Sequence, residues 1–338
     1  MSRQGDRDLS GVNQTSPCPL VCSVSLGREF DVKTGKNKQV LKINDILKVL
    51  KITLGWCVMK KWLVFFSLIV ITLSLSAKIY FDTNVFKVNK VQFYSNKLPE
   101  GSEFTVLQIS DLHNKVFGDN NEQLVNTVEK LNADIIVITG DLVDESTDNF
   151  KNVFSLMERI TAINNNVFFV SGNHEWGNAY TVEFLNGLRE RNVTILNNRN
   201  IKIMENNITL NLVGVDDVSR NHENSPQAFN SVYQDQYTIL LSHSPGITEK
   251  YHDLRADLIL SGHTHGGQVR IPYIGALVAP NQGFFPQLDK GTYQIGPNQY
   301  LYIDSGLGTS IAPIRFLNQS QLSLIKIKNR QGDRDLSV

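Results

Sequence analysis

The sequence predicts an α/β protein in which alternating strands and helices are followed by a second half dominated by strands. Short apolar runs at residues 104–110, 134–139 and 166–171 are separated by segments with apolar side chains at helical spacing. This alternation indicates right-handed βαβ units. After Val193 the apolar runs become short and closely spaced, which predicts a second sheet with fewer helices.

The composition excludes several classes of protein. The chain has 338 residues and a formal net charge of +0, so it lacks the basic footprint of a nucleic-acid-binding protein, and we expect no nucleic-acid partner. Its three cysteines are Cys18, Cys22 and Cys57. The rest of the chain therefore has neither a disulfide framework nor thiolate ligands, and any metal there must be held by His, Asp, Asn or Glu.

The first element in chain order is the stretch "MKKWLVFFSLIVITLSLSAKIYF" at residues 59–81, which is apolar or weakly polar from Trp62 to Ala77. We predict a transmembrane signal anchor here. A secretory signal with a cleavage site near residues 74–77 and a buried core helix are the alternatives. Lysines flank both sides, and the positive-inside rule favours a cytoplasmic N-terminus. The expected location is therefore the cell membrane, with a single pass and an extracytoplasmic domain.

The remaining boundaries follow from the ends of the chain. Met59 followed by two lysines resembles a translation start, so residues 1–58 are predicted to be an extension outside the fold. The octapeptide "RQGDRDLS" occurs at residues 3–10 and again at 330–337 without further repetition, which is not the pattern of a structural repeat. We assign the folded domain to residues 82–328 and a tail to residues 329–338.

Each element of the folded domain has its own sequence signal. The helix at residues 121–131 shows apolar side chains at helical spacing, as does the one that contains Phe150 and Met157. Six β-rich segments follow, "VTIL", "IKIM", "ITLNLVGV", "YTILLS", "LILS" and "QYLYID". The alternating segment "QLSLIKIK" at residues 321–328 predicts a closing strand.

Polar residues cluster where the predicted strands end. Three early strands end in "SDLH", "TGDLVD" and "SGNHE", and two later ones end in "LSHSP" and "SGHTH". A single Asp after a strand is usually a turn residue or a helix cap, and a lone His is usually structural. Five such endings in one chain instead predict a site, because the carboxyl edge of an open α/β sheet is where sites form. The other two histidines, His222 and His252, lie in polar segments and are interpreted as solvated.

The type and number of these residues predict a metal centre. There are seven candidate donors, which are Asp111, His113, Asp141, Asn173, His243, His263 and His265. Seven are too many for one tetrahedral zinc ion but suit two divalent ions that share a carboxylate, with Mn, Fe or Zn compatible with imidazole and carboxylate ligands. Two ions about 3.5–4 Å apart can generate hydroxide and neutralise both reacting oxygens in phosphoryl transfer.

The ordered motifs D-x-H, G-D-x-x-D, G-N-H-E, a later His and G-H-x-H resemble those of the calcineurin-like metallophosphoesterases. The resemblance spans roughly Phe104 to Asp304. The segments "LSHSP", "SGHTHGGQ" and "GLGTSIAPIRF" are similar to those of the membrane-associated bacterial phosphodiesterase branch (YkuE/YaeI-like). The resemblance implies a two-sheet β-sandwich flanked by helices in four layers, and an N-terminal hydrophobic segment. The segment "NQSQLSL" departs from the branch, which usually has an Arg-Pro-Glu-type sequence there, and this puts the closing strand and the substrate rim in doubt.

The resemblance also implies a role for each residue. Asp111, His113 and His265 would hold one ion, Asn173, His243 and His263 would hold the other, and Asp141 would bridge the two. His174 would contact the phosphate and assist the leaving oxygen, and Asp144 would orient His174. The implied activity is that of a metal-dependent phosphoric ester hydrolase, with a phosphodiester favoured over a monoester.

Two other functions remain open at this point. One is a pyrophosphatase of a nucleotide-linked lipid precursor, because a membrane anchor would permit a lipid-linked phosphate-ester substrate. The other is a non-catalytic metal-binding scaffold of the same fold, which is disfavoured because His174 and all seven donors are present. Residues 271–285, rich in Pro, Gly and aromatic side chains, are a candidate substrate rim or an ordinary surface loop.

Overall fold

The computed structural model describes residues 43–310 and 312–329. Both copies of "RQGDRDLS" lie outside the described residues. The predicted α/β class is confirmed, because two mixed sheets are flanked by helices. The helices, in chain order, are α1 (Ile43–Asn84), α2 (Glu122–Leu131), α3 (Lys151–Ile163), α4 (Asn173–Gly177), α5 (Thr181–Glu190), α6 (Ser225–Ala228) and α7 (Ile247–Lys250).

The strands divide between two six-stranded sheets and two small hairpins. In chain order they are β1 (Lys87–Ser95), β2 (Glu103–Ile109), β3 (Ile135–Thr139), β4 (Val167–Val170), β5 (Thr194–Ile195), β6 (Arg199–Glu205), β7 (Ile208–Gly214), β8 (Tyr237–Leu241), β9 (Leu258–Ser261), β10 (Arg270–Ile271), β11 (Gly275–Ala276), β12 (Val278–Ala279), β13 (Gly283–Phe284), β14 (Gly291–Gly296), β15 (Gln299–Ile303) and β16 (Gln321–Asn329).

The helix α1 is longer than the predicted anchor. It begins at Ile43, well before Met59, and ends at Asn84. Among the described residues it is the helix with the length and composition to cross a membrane. Residues 43–58, which were predicted to lie outside the fold, therefore share one helix with the predicted anchor, whereas residues 1–42 lie outside the described part of the chain.

The first sheet has the order β1-β16-β2-β3-β4-β5. The strands β2 to β5 run parallel, whereas β16 is antiparallel to β2 and parallel to β1. The predicted closing strand is therefore inserted between two N-terminal strands. The strand β1 was not predicted from the sequence.

The second sheet has the order β14-β15-β9-β8-β7-β6. Its four central strands β7, β8, β9 and β15 run parallel, and each edge strand pairs antiparallel to its neighbour. Because the central strands of each sheet are parallel, the carboxyl ends of β2, β3 and β4 share one edge, and those of β8 and β9 share another.

The apolar core lies in three layers. In β3 all five side chains are buried; Ile136 and Ile138 pack toward the helices, whereas Ile135 and Val137 pack between the sheets. Burial on both faces explains the unbroken apolar runs of the central strands. A third cluster covers the outer face of the second sheet, so the layers run helix, sheet, sheet, helix. This arrangement brings the two carboxyl edges to one end of the sandwich.

Candidate metal centre

The candidate donors lie in tight turns directly after the strands. Asp111, His113, Asp141, His263 and His265 have φ angles between 49° and 70°, in the left-handed region. This conformation is uncommon for residues other than glycine and is concentrated at functional sites. The turns let two side chains of one short segment converge on the same place.

Two glycines of these motifs are required by close packing. A Cβ atom at Gly172 would lie 2.2 Å from Asp141 Oδ1, and one at Gly262 would lie 1.9 Å from Ser110 Oγ. Turns from different strands therefore approach each other directly at these positions. The glycines before Asn173 and His263 are the residues that permit this approach.

The first donor group combines Asp111, His113, Asp141 and His265, whose ligand atoms all lie within 4.8 Å of one another. The Nε2 atoms of His113 and His265 are 3.2 Å apart. His265 Nε2 is 3.6 Å from Asp111 Oδ1, and His113 Nε2 is 3.7 Å from Asp141 Oδ2. All four residues are buried.

The second donor group combines Asp141, His243 and His263. His243 Nε2 lies 3.2 Å from Asp141 Oδ2 and 3.1 Å from His263 Nδ1. The Asn173 side-chain oxygen is 3.1 Å from the same His243 nitrogen. The structure therefore brings together all seven predicted donors, in two groups that share Asp141.

The residues fit divalent cations. Unprotonated imidazole nitrogens that face each other repel unless a proton or cation lies between them, and two nitrogens 3.2 Å apart can both contact one ion at the usual distance of about 2.1 Å. The buried His265 Nδ1 has no hydrogen-bond partner among the described residues. Nitrogen and oxygen donors without thiolate are the set expected for Mn, Fe or Zn.

Hydrogen bonds orient two of the imidazoles. His113 Nδ1 is 2.6 Å from Asp144 Oδ1, and His243 Nδ1 is 2.8 Å from the Thr139 carbonyl oxygen. If each Nδ1 donates its proton to these oxygens, each Nε2 keeps the lone pair that a metal requires. Metal-binding histidines are commonly held in this way.

The pKa values of three histidines diverge within this small volume. Burial lowers the pKa of His263 to about 3, with the nearby His243 adding to the effect. Burial, His113 and Arg315 hold the pKa of His265 well below its usual range. Burial opposes protonation of His243 as well, but the charge and hydrogen bond of Asp141 raise its pKa. The neutral imidazole, which is the form that binds a metal, is therefore favoured at His263 and His265 and opposed at His243 by the adjacent Asp141.

Asp144 has a different principal partner from the expected one. It was predicted to orient His174, but its carboxylate is 3.7 Å from His174 Nδ1, which is too long for a hydrogen bond, and 2.6 Å from His113. The His174 ring instead packs edge-on to His113 at a centroid distance of 4.7 Å. Its backbone N–H donates to Asp141 Oδ1 at 3.0 Å.

Glu175 was not predicted as a site residue, although it stands in the quoted motif "SGNHE". Its buried carboxylate accepts backbone N–H groups of Asp141, Leu142 and Gly172, each at 2.8 Å. Burial and the neighbouring Asp141 raise the pKa of Glu175 to about 7. Glu175 therefore joins the turns that follow β3 and β4.

Arg315 and Asn318 were also missed as residues that support the site. The fully buried Arg315 donates to the carbonyl oxygens of Ser305 at 2.6 Å, Gly308 at 2.6 Å and His265 at 3.3 Å. Asn318 Nδ2 donates to the same His265 oxygen at 2.6 Å. The signal available in the sequence was the segment "PIRF", in which a single Arg stands among apolar residues.

Asn281 is the third omission, and it lies in the predicted rim segment. Its Nδ2 is 3.1 Å from His263 Nε2, so residues 271–285 reach the metal centre. Of the histidines interpreted as solvated, His222 is exposed but stacks on Trp176 at 4.1 Å, and His252 is exposed. Neither lies in a donor group.

Comparison with known proteins points to one family. The family model described as calcineurin-like phosphoesterase matches residues 104–267. A metallophosphoesterase of Aquifex aeolicus is 30% identical over 275 residues, which cover 77% of this chain and 98% of that protein. The metallophosphoesterase YkuE of Bacillus subtilis is 24% identical, with 74% of this chain and 88% of that protein covered. A Danio rerio protein described as a transmembrane protein with a metallophosphoesterase domain is 27% identical, with 72% and 57% covered. The segment matched by the family model contains all seven candidate donors.

Proposed function

Because the chain belongs to the calcineurin-like metallophosphoesterase family, we propose that it hydrolyses a phosphodiester with two divalent ions. Membership makes it a metal-dependent phosphoric ester hydrolase. The observation that carries the finer proposal is the pair of buried donor groups that share one carboxylate, Asp141. A scaffold without catalytic activity would have no need for a second group beside the first.

The proposed ligands follow the two groups. Asp111, His113 and His265 would hold one ion, Asn173, His243 and His263 the other, and Asp141 both. When bound, such ions polarise a phosphoryl oxygen and lower the pKa of water. Mn, Fe and Zn are the proposed metals, because the donors are imidazoles, carboxylates and an amide oxygen.

His174 is proposed to donate a proton to the leaving oxygen. Its side chain is 20% exposed, unlike the buried donors, and its ring lies beside His113. The Glu145 N–H points at His174 Nδ1 at 3.4 Å, which favours the tautomer with the proton on Nε2. A general acid must present such a proton to the substrate. Asp144, whose Oδ1 lies 3.7 Å from His174 Nδ1, is proposed to help position His174.

The proposed preference for a diester is supported by three arginines that already bond to protein groups. Arg220 pairs with Glu145, Arg270 pairs with Asp289 at 2.6 Å, and Arg315 bonds to carbonyl oxygens. A phosphomonoester carries about two negative charges and a diester carries one. With these guanidinium groups already paired, the diester is the better match in charge.

We also propose that α1 enters the cell membrane as a single pass, with the catalytic domain outside the cytoplasm. The apolar run from Trp62 to Ala77 lies within α1, and its side chains are exposed. The similarity to a protein described as transmembrane is consistent with this. A lipid-linked phosphate ester is then an accessible substrate class.

The test is made on the full chain purified in detergent. We expect close to two ions per chain by elemental analysis, and faster hydrolysis of an aryl phosphodiester than of the matching monoester. A well-folded, metal-free and inactive chain would contradict the dinuclear proposal. Faster monoester hydrolysis would contradict the diester preference alone.

His174→Ala tests the proposed proton donor. We expect kcat to fall about 10²- to 10⁴-fold with metal content retained. His252→Ala is the matched control, because this exposed histidine lies outside both donor groups, and it should leave kcat and metal content unchanged. Loss of metal together with activity in His174→Ala would identify His174 as a ligand.

A further inference from the structure

The loop formed by residues 271–285, here called the apolar loop, lacks charge altogether. Its sequence is "IPYIGALVAPNQGFF", and residues 286–288 add no charge. The hairpins β10–β11 and β12–β13 give it a defined backbone. Surface loops of a protein with ordinary charge content usually contain Lys, Glu, Asp or Arg, so this composition is unusual.

The apolar loop presents its largest side chains to solvent. Tyr273 is fully exposed, and Phe284 is 72% exposed, whereas the small Ala276 and Ala279 are buried underneath. Further exposed apolar residues of the loop are Ile271, Ile274, Val278 and Phe285. Several large exposed apolar side chains within one loop indicate an interaction surface.

The loop is held firmly against the metal centre. Asn281 contacts His263, and the backbone N–H groups of Leu277 and Phe285 donate to the carbonyl oxygens of Val269 and Leu277. The large side chains are therefore displayed by a braced framework.

The same end of the domain receives the end of α1. Thr83 Oγ1 accepts the Arg315 N–H at 2.8 Å, and the adjacent Phe316 carbonyl accepts the Arg270 N–H at 3.0 Å, where the apolar loop begins. Helix end and loop are thus attached to neighbouring residues of one segment. Thr83 follows the apolar run, which ends at Ala77, by about 9 Å of helix.

We propose that the apolar loop inserts into the surface of the lipid bilayer that holds α1. Aromatic side chains with apolar bodies prefer the boundary between headgroups and acyl chains, and an uncharged loop can enter that boundary without leaving a charge unsolvated. Because helix end and loop are both attached to Arg315 and Phe316, this face of the domain would lie at the membrane. Since the loop is uncharged, its insertion should depend little on salt or on anionic lipid.

The experiment places a fluorescent reporter on the loop of the full chain in vesicles of phosphatidylcholine with brominated acyl chains. The parent carries Trp56→Phe and Trp62→Phe and keeps Trp176. In this parent, Phe284→Trp adds the fluorescence of one tryptophan. The brominated acyl chains should reduce that added fluorescence about twofold or more, whereas iodide in the water should quench it only weakly. High salt should change neither result.

A matched control and an internal control make the outcomes distinct. Met204, on the edge strand β6, is 73% exposed, so Met204→Trp in the same parent should be quenched by iodide and not by the bromines. A Trp56→Phe chain keeps Trp62 as well as Trp176. The difference between its fluorescence and that of the parent reports on α1 separately from the loop. Metal content equal to that of the parent shows that each variant is folded, and Tyr273→Trp serves as a second loop reporter.

The proposal is overturned if Trp62 is quenched by the bromines while both loop reporters respond to iodide only; the membrane placement of α1 would then stand alone. It is also overturned if Met204→Trp is quenched as strongly as Phe284→Trp, because the whole domain would then adhere to lipid. If Trp62 itself escapes the bromines, α1 is outside the bilayer and the proposal falls with it. None of these readouts depends on hydrolysis.

Discussion

The two sheets bring different chemistry to the metal centre. The first sheet provides both donor carboxylates, Asp111 and Asp141, whereas the donors that follow strands of the second sheet are the imidazoles of His243, His263 and His265. Negative charge is thus confined to one side of the cluster. The carboxylates that would attract a cation therefore follow strands of the first sheet, whereas the candidate donors that follow strands of the second sheet are imidazoles.

The sheets also differ in how their turns are held. On the first sheet, the buried Glu175 accepts backbone N–H groups around Asp141. Near the second sheet, the buried Arg315 donates to backbone carbonyl oxygens, including that of His265. Each half therefore uses one buried ionisable side chain bonded to peptide groups, a carboxyl group that accepts in the first half and a guanidinium that donates in the second. A turn that exposes N–H groups needs an acceptor, and a turn that exposes carbonyl oxygens needs a donor.

The largest expected effect is that of Asp141→Asn, which removes charge from the point where both donor groups meet. We expect both ions to be lost and kcat/KM to fall by at least about a thousandfold. Asp134→Asn is the control, because Asp134 lies just before the same strand at its opposite end and bonds to Thr105. Retention of both ions in Asp141→Asn would show that charge is not concentrated on the first sheet as described.

Arg315→Met tests the support of the second half. Several buried carbonyl oxygens would lose their donor, so the free energy of unfolding should fall by about 4 kcal/mol. Chemical denaturation in detergent measures this change. Arg220→Met, at an exposed ion pair, should cost less than about 1 kcal/mol. Equal effects at the two positions would argue against the structural role of Arg315.

Glu175→Gln tests the corresponding support of the first half. The amide keeps one acceptor oxygen but turns an NH₂ group toward backbone donors, so we expect a loss of about 3 kcal/mol. Because the turn that holds Asp141 would loosen, metal affinity should also fall about 10- to 100-fold. An unchanged metal affinity would limit Glu175 to a role in stability.

The smallest effect is expected at Asp304, a buried carboxylate that joins the two sheets. It accepts from Gln321 and Ser323 on β16, and burial raises its pKa to about 6. The folded state then keeps this proton while the unfolded chain releases it, so stability falls as pH rises from about 4 to about 6, by at most about 3 kcal/mol. In Asp304→Asn this pH-dependent loss should be absent, which denaturation at pH 4 and pH 7 would show. A parallel pH profile in both chains would contradict the raised pKa.

Much of the fold and the proximity of the seven candidate donors could be predicted because their signals are local. Runs such as "DIIVIT" are unbroken, apolar and of strand length, and the predicted strands agree with β2, β3 and β4 to within one or two residues. The turn that follows each strand places its polar residues at one edge, so the donors could be grouped without coordinates. The helix α5 and strands β1 and β14 were missed, because their stripes are interrupted by polar residues at partly exposed positions.

The sequence by itself determined the α/β class, the strand-end clusters and the apolar segment within α1, since each depends on spacing along a few neighbouring residues. Only the tertiary structure decided that β16 lies between β1 and β2, that Asp144 bonds to His113, and that Asn281 reaches His263. These pairings join residues distant in the chain. Their hydrogen-bond partners are set by how the layers pack, so the spacing of neighbouring residues in the sequence does not predict them.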